Sequence, residues 1–357
     1  MSASMDDRPQ DGQKDRPLAL LDPAPRTAGE IFTPSMLARL QDHVRIVEPS
    51  GASGPSGADD FYAEHLPTAS YVIGQPPLST EMLGAAPHLK AIFNVESNFL
   101  QNMDYEACFA QGIHVLTVSP VFARPVAELA LGMALSLMRN LHGAHHEFLI
   151  GKERYGLESN LNSRLLHGSS VGFIGFGDLG RAILALLAPF RCDIRIHDPW
   201  LSPDMLARDG LNSASLDEVL SSSDLIFTVA AVTDTNNGML GADEFARMQR
   251  GTRFLLLSRA DVVDFSALQN ACKQGHIIAG TDVFPNEPVA SDDPVRTTPG
   301  LMFSAHRAGA LDSALKEIGE RVVADIEQMN RGLPPGNCKR AERELVGRMM
   351  SRPVEVS

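Results

Sequence analysis

Residues 169–187 read SSVGFIGFGDLGRAILALL, with Gly175, Gly177 and Gly180 in G-x-G-x-x-G order between an apolar strand-like run and an apolar helix-like run. A strand that turns at once into a helix brings backbone N–H groups and the positive helix end to one point, ready for an anion. Glycines occur at any tight turn, so the spacing gains its weight from context. The next apolar run ends in RIHDPW, which puts Asp198 18 residues beyond Gly180. An acidic side chain there accepts hydrogen bonds from both ribose hydroxyls of NAD and repels the 2′-phosphate of NADP. The expected cofactor residues are therefore Gly175, Gly177, Asp178, Leu179, Gly180 and Asp198. The Asp178 carboxylate must point away from a pyrophosphate, and Arg181 is the neighbouring charge that would offset it. Neither H-R-D nor D-F-G follows, which argues against a kinase glycine loop.

From residue 171 onward, apolar runs VGFIGF, DIRIHD, DLIFTVA, RFLLLS, IIAGTDVF and LMFSAH alternate with helical patterns such as LGRAILALLAPF and DFSALQNACKQG. Near-continuous apolar strands between amphipathic helices predict a parallel sheet covered on both faces, a doubly wound α/β domain. The first part of the chain repeats the alternation on a smaller scale, with LALLD, RIVEP, SYVIG, LKAIFNV and HVLTV as strands. PSGASGPSGADD (49–60) reads as a flexible loop by composition. One long amphipathic segment, 124–149, links the two parts, and the helix DSALKEIGERVVADIEQMN is long enough to return to the first domain. The expected division is a leader (1–16), a substrate domain (17–122 plus 308–335), a nucleotide domain (123–307) and a loose tail (336–357).

A net charge of −13 argues against a general affinity for nucleic-acid phosphates. No apolar run reaches the roughly 20 residues of a membrane-spanning helix, and the polar N-terminus lacks a signal-peptide core, so a cytoplasmic protein without membrane contact is expected. The 4 cysteines are scattered, with no C-x-x-C pair. His142 and His146 stand four apart in a helical stretch, yet no third ligand motif accompanies them, so a solvated face is expected and no metal.

In an open parallel sheet, ligands gather outside the carboxyl ends of the strands. Arg259 follows RFLLLS, Glu287 comes shortly after AGTDVF, and His306 ends LMFSAH. Singly, each has a bland explanation as a strand-end charge or a core histidine. Together at one sheet edge they form a chemical set. Removing hydride from an alcohol carbon needs a base for the hydroxyl proton, and histidine titrates in the useful range. A carboxylate orients the ring, and a guanidinium clamps a substrate carboxylate with two hydrogen bonds.

With GFGDLG, HDP, SRADVVDFSAL, AGTDVFPNEP and FSAHRAGA in this order, the sequence resembles the D-isomer-specific 2-hydroxyacid dehydrogenases over roughly residues 17 to 335. The resemblance implies a Rossmann NAD-binding domain, a smaller discontinuous flavodoxin-like substrate domain, NAD as cofactor and a homodimer with contacts from the segment after Arg124. It implies a small anionic 2-hydroxy or 2-keto acid as substrate, with His306 as acid/base, Glu287 as its partner and Arg259 as carboxylate clamp. By the same resemblance Asp282 contacts the nicotinamide carboxamide, and Thr233 lies near the cofactor. The loop FNVESNFLQN departs from the family pattern, with Ser97 and Phe99 in place of glycines, so Ser97, Asn98 and Phe99 are the expected substrate contacts beside Arg259. A corepressor-like NAD(H) sensor of the same fold is the alternative. A formate dehydrogenase would pair its histidine with glutamine, unlike Glu287.

Overall fold

The structure, a computed structural model, describes residues 15–49, 55–96, 99–233 and 235–347. It falls into two compact units: Phe122–Leu311, and the described residues up to Val121 together with those from Asp312 onward. Residues 308–311 stay with the former unit, because the Ala308 N–H is held by Asp282 at 3.0 Å and Gly309 lies against the Phe122 ring.

In the unit built from both chain ends, β1 (Leu18–Asp22), β2 (Arg45–Val47), β3 (Ala69–Gly74), β4 (Ala91–Asn94) and β5 (His114–Thr117) pair in parallel in the order β2-β1-β3-β4-β5. This is the flavodoxin-like order. Every residue of β3 and β4 is buried, as expected for strands covered on both faces. Helix Asp312–Asn330 packs onto this unit so closely that a Cβ on Gly319 would come within 2.2 Å of the Ile31 carbonyl oxygen. Tyr71 donates to Asn330 at 2.7 Å, and Arg39 pairs with Glu327 at 2.8 Å.

Two expectations fail here. Residues 55–60, expected in a flexible loop, begin the helix Pro55–His65, which Tyr62 anchors by being buried and donating to Asp22 at 2.9 Å. Residues 50–54 of that loop lie outside the described residues. Up to residue 347 the segment after Gly336 is not loose; residues 348–357 of the expected tail lie outside the described residues. The fully buried Asp325 accepts hydrogen bonds from the N–H groups of Gly336, Asn337 and Cys338 at 2.8 Å and from Asn337 Nδ2 at 2.9 Å. The chain then adds Lys339–Arg340 as an antiparallel edge strand on β5 and a short helix, Arg343–Val346. A buried carboxylate fully supplied with donors decides this, and composition does not reveal it.

The other unit contains β6 (Ser170–Ile174), β7 (Asp193–His197), β8 (Asn212–Ser213), β9 (Leu225–Thr228), β10 (Arg253–Leu256), β11 (Ile278–Thr281) and β12 (Leu301–Phe303). Their order, β12-β11-β10-β9-β6-β7-β8, is the Rossmann order with one further strand. The expected link 124–149 is two helices, Ala123–Arg139 and Leu141–Leu149, separated by Asn140 in the left-handed region (φ 52°). Contrary to the expectation, the stretch Ser119–Arg139 is long and apolar enough to cross a membrane by length and composition. Its apolar face is spent inside the protein: Val126, Ala130, Met133, Ala134 and Leu137 are buried in one cluster with β6, β9 and helix Asp178–Leu187.

Candidate active site

The strand order reverses between β6 and β9, and the glycine turn follows β6 at that point. Its three glycines answer three different needs. Gly175 has φ +83°, and a Cβ there would lie 2.4 Å from Ala230 Cα, so only glycine fits. At Gly180 a Cβ would meet the Phe176 ring at 2.9 Å, which lets helix Asp178–Leu187 close onto the turn. At Gly177, immediately before that helix, nothing lies within 4 Å of the Cβ position. The helix that follows begins with Asp178 and Leu179, whose first-turn position puts their N–H groups ahead of the intrahelical ladder. The Asp198 carboxylate accepts from Phe176 N–H at 2.7 Å and Trp200 N–H at 2.9 Å. A carboxylate has about four acceptor positions, so these bonds brace the turn and leave capacity for a ligand. Arg181 reaches Asp209 at 3.4 Å and lies over the Phe176 ring, 5.2 Å from its centre.

Two hydroxyls that the sequence reading passed over lie at the same edge. Thr228 Oγ1 at the end of β9 and Ser258 Oγ just after β10 are buried, with no hydrogen-bond partner among the described residues. Leaving a buried hydroxyl unpaired costs about 1–3 kcal/mol, which an incoming polar ligand relieves. Serine and threonine are too common for such a signal to be seen before burial is known. Thr233 is also buried, its N–H bonded to Asn236 at 2.7 Å and its hydroxyl 3.2 Å from that of Thr235. The open helix end, the braced acidic residue and the orphaned hydroxyls fit a dinucleotide.

The ionic residues converge beyond β10, β11 and β12. His306 Nδ1 and Glu287 Oε2 are 2.5 Å apart, and Glu287 Oε1 accepts the Phe284 N–H at 2.8 Å. Burial works against ionisation of Glu287, but the His306 hydrogen bond, the Phe284 N–H and the charges of His306 and Arg259 outweigh it and hold its pKa below the ordinary carboxylate value. Arg259 is exposed and donates to the Ser258 carbonyl at 2.8 Å. With Nδ1 turned to Glu287, Nε2 is the nitrogen left for a reactant.

Asp282 builds the turn that presents His306. Its side chain is 1% exposed, and its two oxygens accept from the N–H groups of Arg307 at 3.1 Å and Ala308 at 3.0 Å. Its own carbonyl accepts the His306 N–H at 2.7 Å. These bonds secure His306 at φ +45°, a conformation costly for a residue with a Cβ.

In the other unit, Ser97 and Asn98 lie outside the described residues. The Phe99 ring is turned into the core rather than outward: its side chain is 2% exposed and meets Tyr105 edge to face, because a phenyl ring so placed gains more from the core than from solvent. Sequence reasoning missed the braces beside this loop. Arg26, after β1, pairs with Glu96, after β4, at 3.2 Å. Gln75, after β3, accepts the N–H groups of Val95 at 3.2 Å and Glu96 at 3.3 Å. These partners are far apart in sequence and belong to no motif. His142 Nδ1 is 3.2 Å from the Ser136 hydroxyl, and among the described residues no group of three or more His, Cys, Asp or Glu is placed to hold a metal ion.

Comparison with known proteins identifies the family. The model of the family described as D-isomer specific 2-hydroxyacid dehydrogenase, NAD binding domain, matches residues 131–308. The chain belongs to this family, and NAD(H) is its cofactor. A crystal structure of a phosphoglycerate oxidoreductase from Rhizobium etli is 51% identical, with a TM-score of 0.81, 92% of this chain and 99% of that chain being covered. A D-3-phosphoglycerate dehydrogenase of Mycobacterium bovis is 29% identical over 296 residues, 83% of this chain and 54% of that protein. A glyoxylate reductase of Korarchaeum cryptofilum is 26% identical over 268 residues, 74% of this chain and 80% of that protein. The chain thus spans about half the length of the mycobacterial phosphoglycerate dehydrogenase.

Proposed function

We propose that this protein interconverts a small anionic 2-hydroxy acid and its 2-keto acid, using NAD(H). The observation that carries the reading is the 2.5 Å contact of His306 with Glu287 within reach of the Arg259 charge. When bound, the nicotinamide supplies or accepts the hydride. In reduction, His306 Nε2 donates a proton to the carbonyl oxygen while Arg259 clamps the substrate carboxylate and stabilises the developing oxyanion. In oxidation, the neutral ring takes the hydroxyl proton. Glu287 fixes the ring and balances the imidazolium. Asp282, beyond presenting His306, faces the nicotinamide carboxamide. The N–H groups after Gly177 hold the pyrophosphate, Asp198 selects the unphosphorylated ribose, and Thr233 lies along the cofactor.

A homodimer belongs to the same reading. Leu141, Phe148, Leu149, Leu157, Leu161 and Leu165 are each between 56% and 81% exposed, a run of apolar surface that a second copy of the chain would cover. Molar mass by light scattering checks it; a monomer at working concentration counts against it.

The activity is tested by NADH oxidation against a panel of 2-keto acids, with NADPH run alongside. The panel includes a phosphorylated acid, because the relative from Rhizobium etli carries that name. Turnover with NADH on at least one member is expected. Tight NADH binding without turnover on any member would overturn the enzyme, and a preference for NADPH would overturn the role of Asp198.

A further inference from the structure

The amino edge of the sheet β2-β1-β3-β4-β5 opens into a cavity of about 990 Å³. That is the upper end of the roughly 300–1,000 Å³ typical of small-molecule sites. Basic side chains reach it from the starts of four strands: Arg16 before β1, Arg45 opening β2, His88 and Lys90 before β4, and His114 opening β5. Asp15 is the acidic residue in its lining.

Cations at this edge have an ordinary use, because helices running against the strands bring their carboxyl ends here. Arg16 is used in that way, donating to the Gln41 carbonyl in the last turn of helix Pro34–His43. Arg45, His88 and Lys90 are not: among the described residues their side chains have neither an ion pair nor a hydrogen bond. In a chain of net charge −13, a concavity whose cations outnumber the Asp15 carboxylate in its lining runs against the overall field. Concave shape and separated cations suit a compact multivalent anion better than a flat polymer surface.

We propose that this cavity is a second ligand site, taking a small phosphate-bearing anion at the edge of the sheet opposite the loops that follow its strands. Lys90 and Arg45 supply the charge contacts, and His88 and His114 supply ring N–H donors.

The test is calorimetric titration of the full chain with inorganic pyrophosphate at two salt concentrations. Saturable binding that weakens with salt is expected, unaffected by prior saturation with NADH. The double variant Arg45→Glu/Lys90→Glu should weaken it roughly tenfold or more, and the single variant Lys90→Gln by a few fold. Both variants should retain wild-type NADH binding, read by fluorescence, because the altered residues are exposed. No saturable heat in the wild type would overturn the site, as would undiminished binding in Lys90→Gln and the double variant. Competition by NADH would place the anion in the nucleotide turn instead, and much tighter binding of a single-stranded oligonucleotide would overturn the small-ligand assignment. The titration needs no turnover, so its failure is separate from failure of the dehydrogenase reading.

Discussion

Both units are doubly wound parallel sheets, yet their carboxyl edges are built for opposite ends. Beyond β6 to β12 the edge is left chemically open, with clear space in front of Gly177, buried hydroxyls without partners and an exposed His306 held in a left-handed turn. Beyond β1, β3 and β4 the edge is braced by its own side chains: Arg26 on Glu96, Gln75 on two backbone N–H groups and Asn102 on the Gln75 and Pro76 carbonyls. The amide of Asn94 and the Asn102 Oδ1 are buried there without a hydrogen-bond partner among the described residues. The same architecture serves chemistry where a helix end is left clear and a turn is strained, and rigidity where side chains brace one strand end to the next.

The sharpest way to break this contrast is His306→Asn. The substitution keeps a polar side chain but removes the titrating group, and should lower kcat by a factor on the order of 10² or more with NADH affinity little changed. Near-normal turnover on the true substrate would remove His306 from the chemistry. Next comes a pair within the glycine turn. Gly175→Ala combines positive φ with a Cβ 2.4 Å from Ala230 and should cost about 2–5 kcal/mol in urea unfolding. Gly177→Ala meets no atom and should leave stability unchanged while weakening NADH binding. Equal stability loss in both would contradict the division of labour among these glycines.

On the closed side, Asp325→Asn puts an amide N–H₂ against donors that now point at carboxylate oxygens. A cost of about 1–3 kcal/mol in stability is expected, with NADH affinity intact. The smallest effect is a pH dependence at Glu287. Its pKa in the folded protein lies below the ordinary 4.5, so its contribution to stability is fully present above that value and is lost as the pH falls through the lower one. The stability difference between wild type and Glu287→Gln should therefore shrink below pH 4.5, and a difference that grows on acidification would refute the ion pair.

Much of this was legible in the order of residues. The glycine spacing, the apolar strand runs and the helix 312–330 are local patterns, set by backbone sterics and by the periods at which side chains face a core. Arg259, Glu287 and His306 could be picked out because each follows an apolar run, and strand ends are where such folds place ligands. The brace of Arg26 on Glu96 joins residues 70 apart and left no local mark. The same holds for the tail, where one buried carboxylate organises a segment that composition alone makes look loose.

By itself, the sequence determined two parallel α/β sheets, a nucleotide turn and the identity of the groups at its rim. Only the tertiary structure decided which of those groups pair, that Phe99 faces a core, that Asp282 holds the His306 turn, and that Thr228 and Ser258 are buried without partners. The physical reason is range. Propensity and periodicity act over a few residues, whereas a hydrogen bond or ion pair is fixed by whichever distant strands the packed core brings side by side.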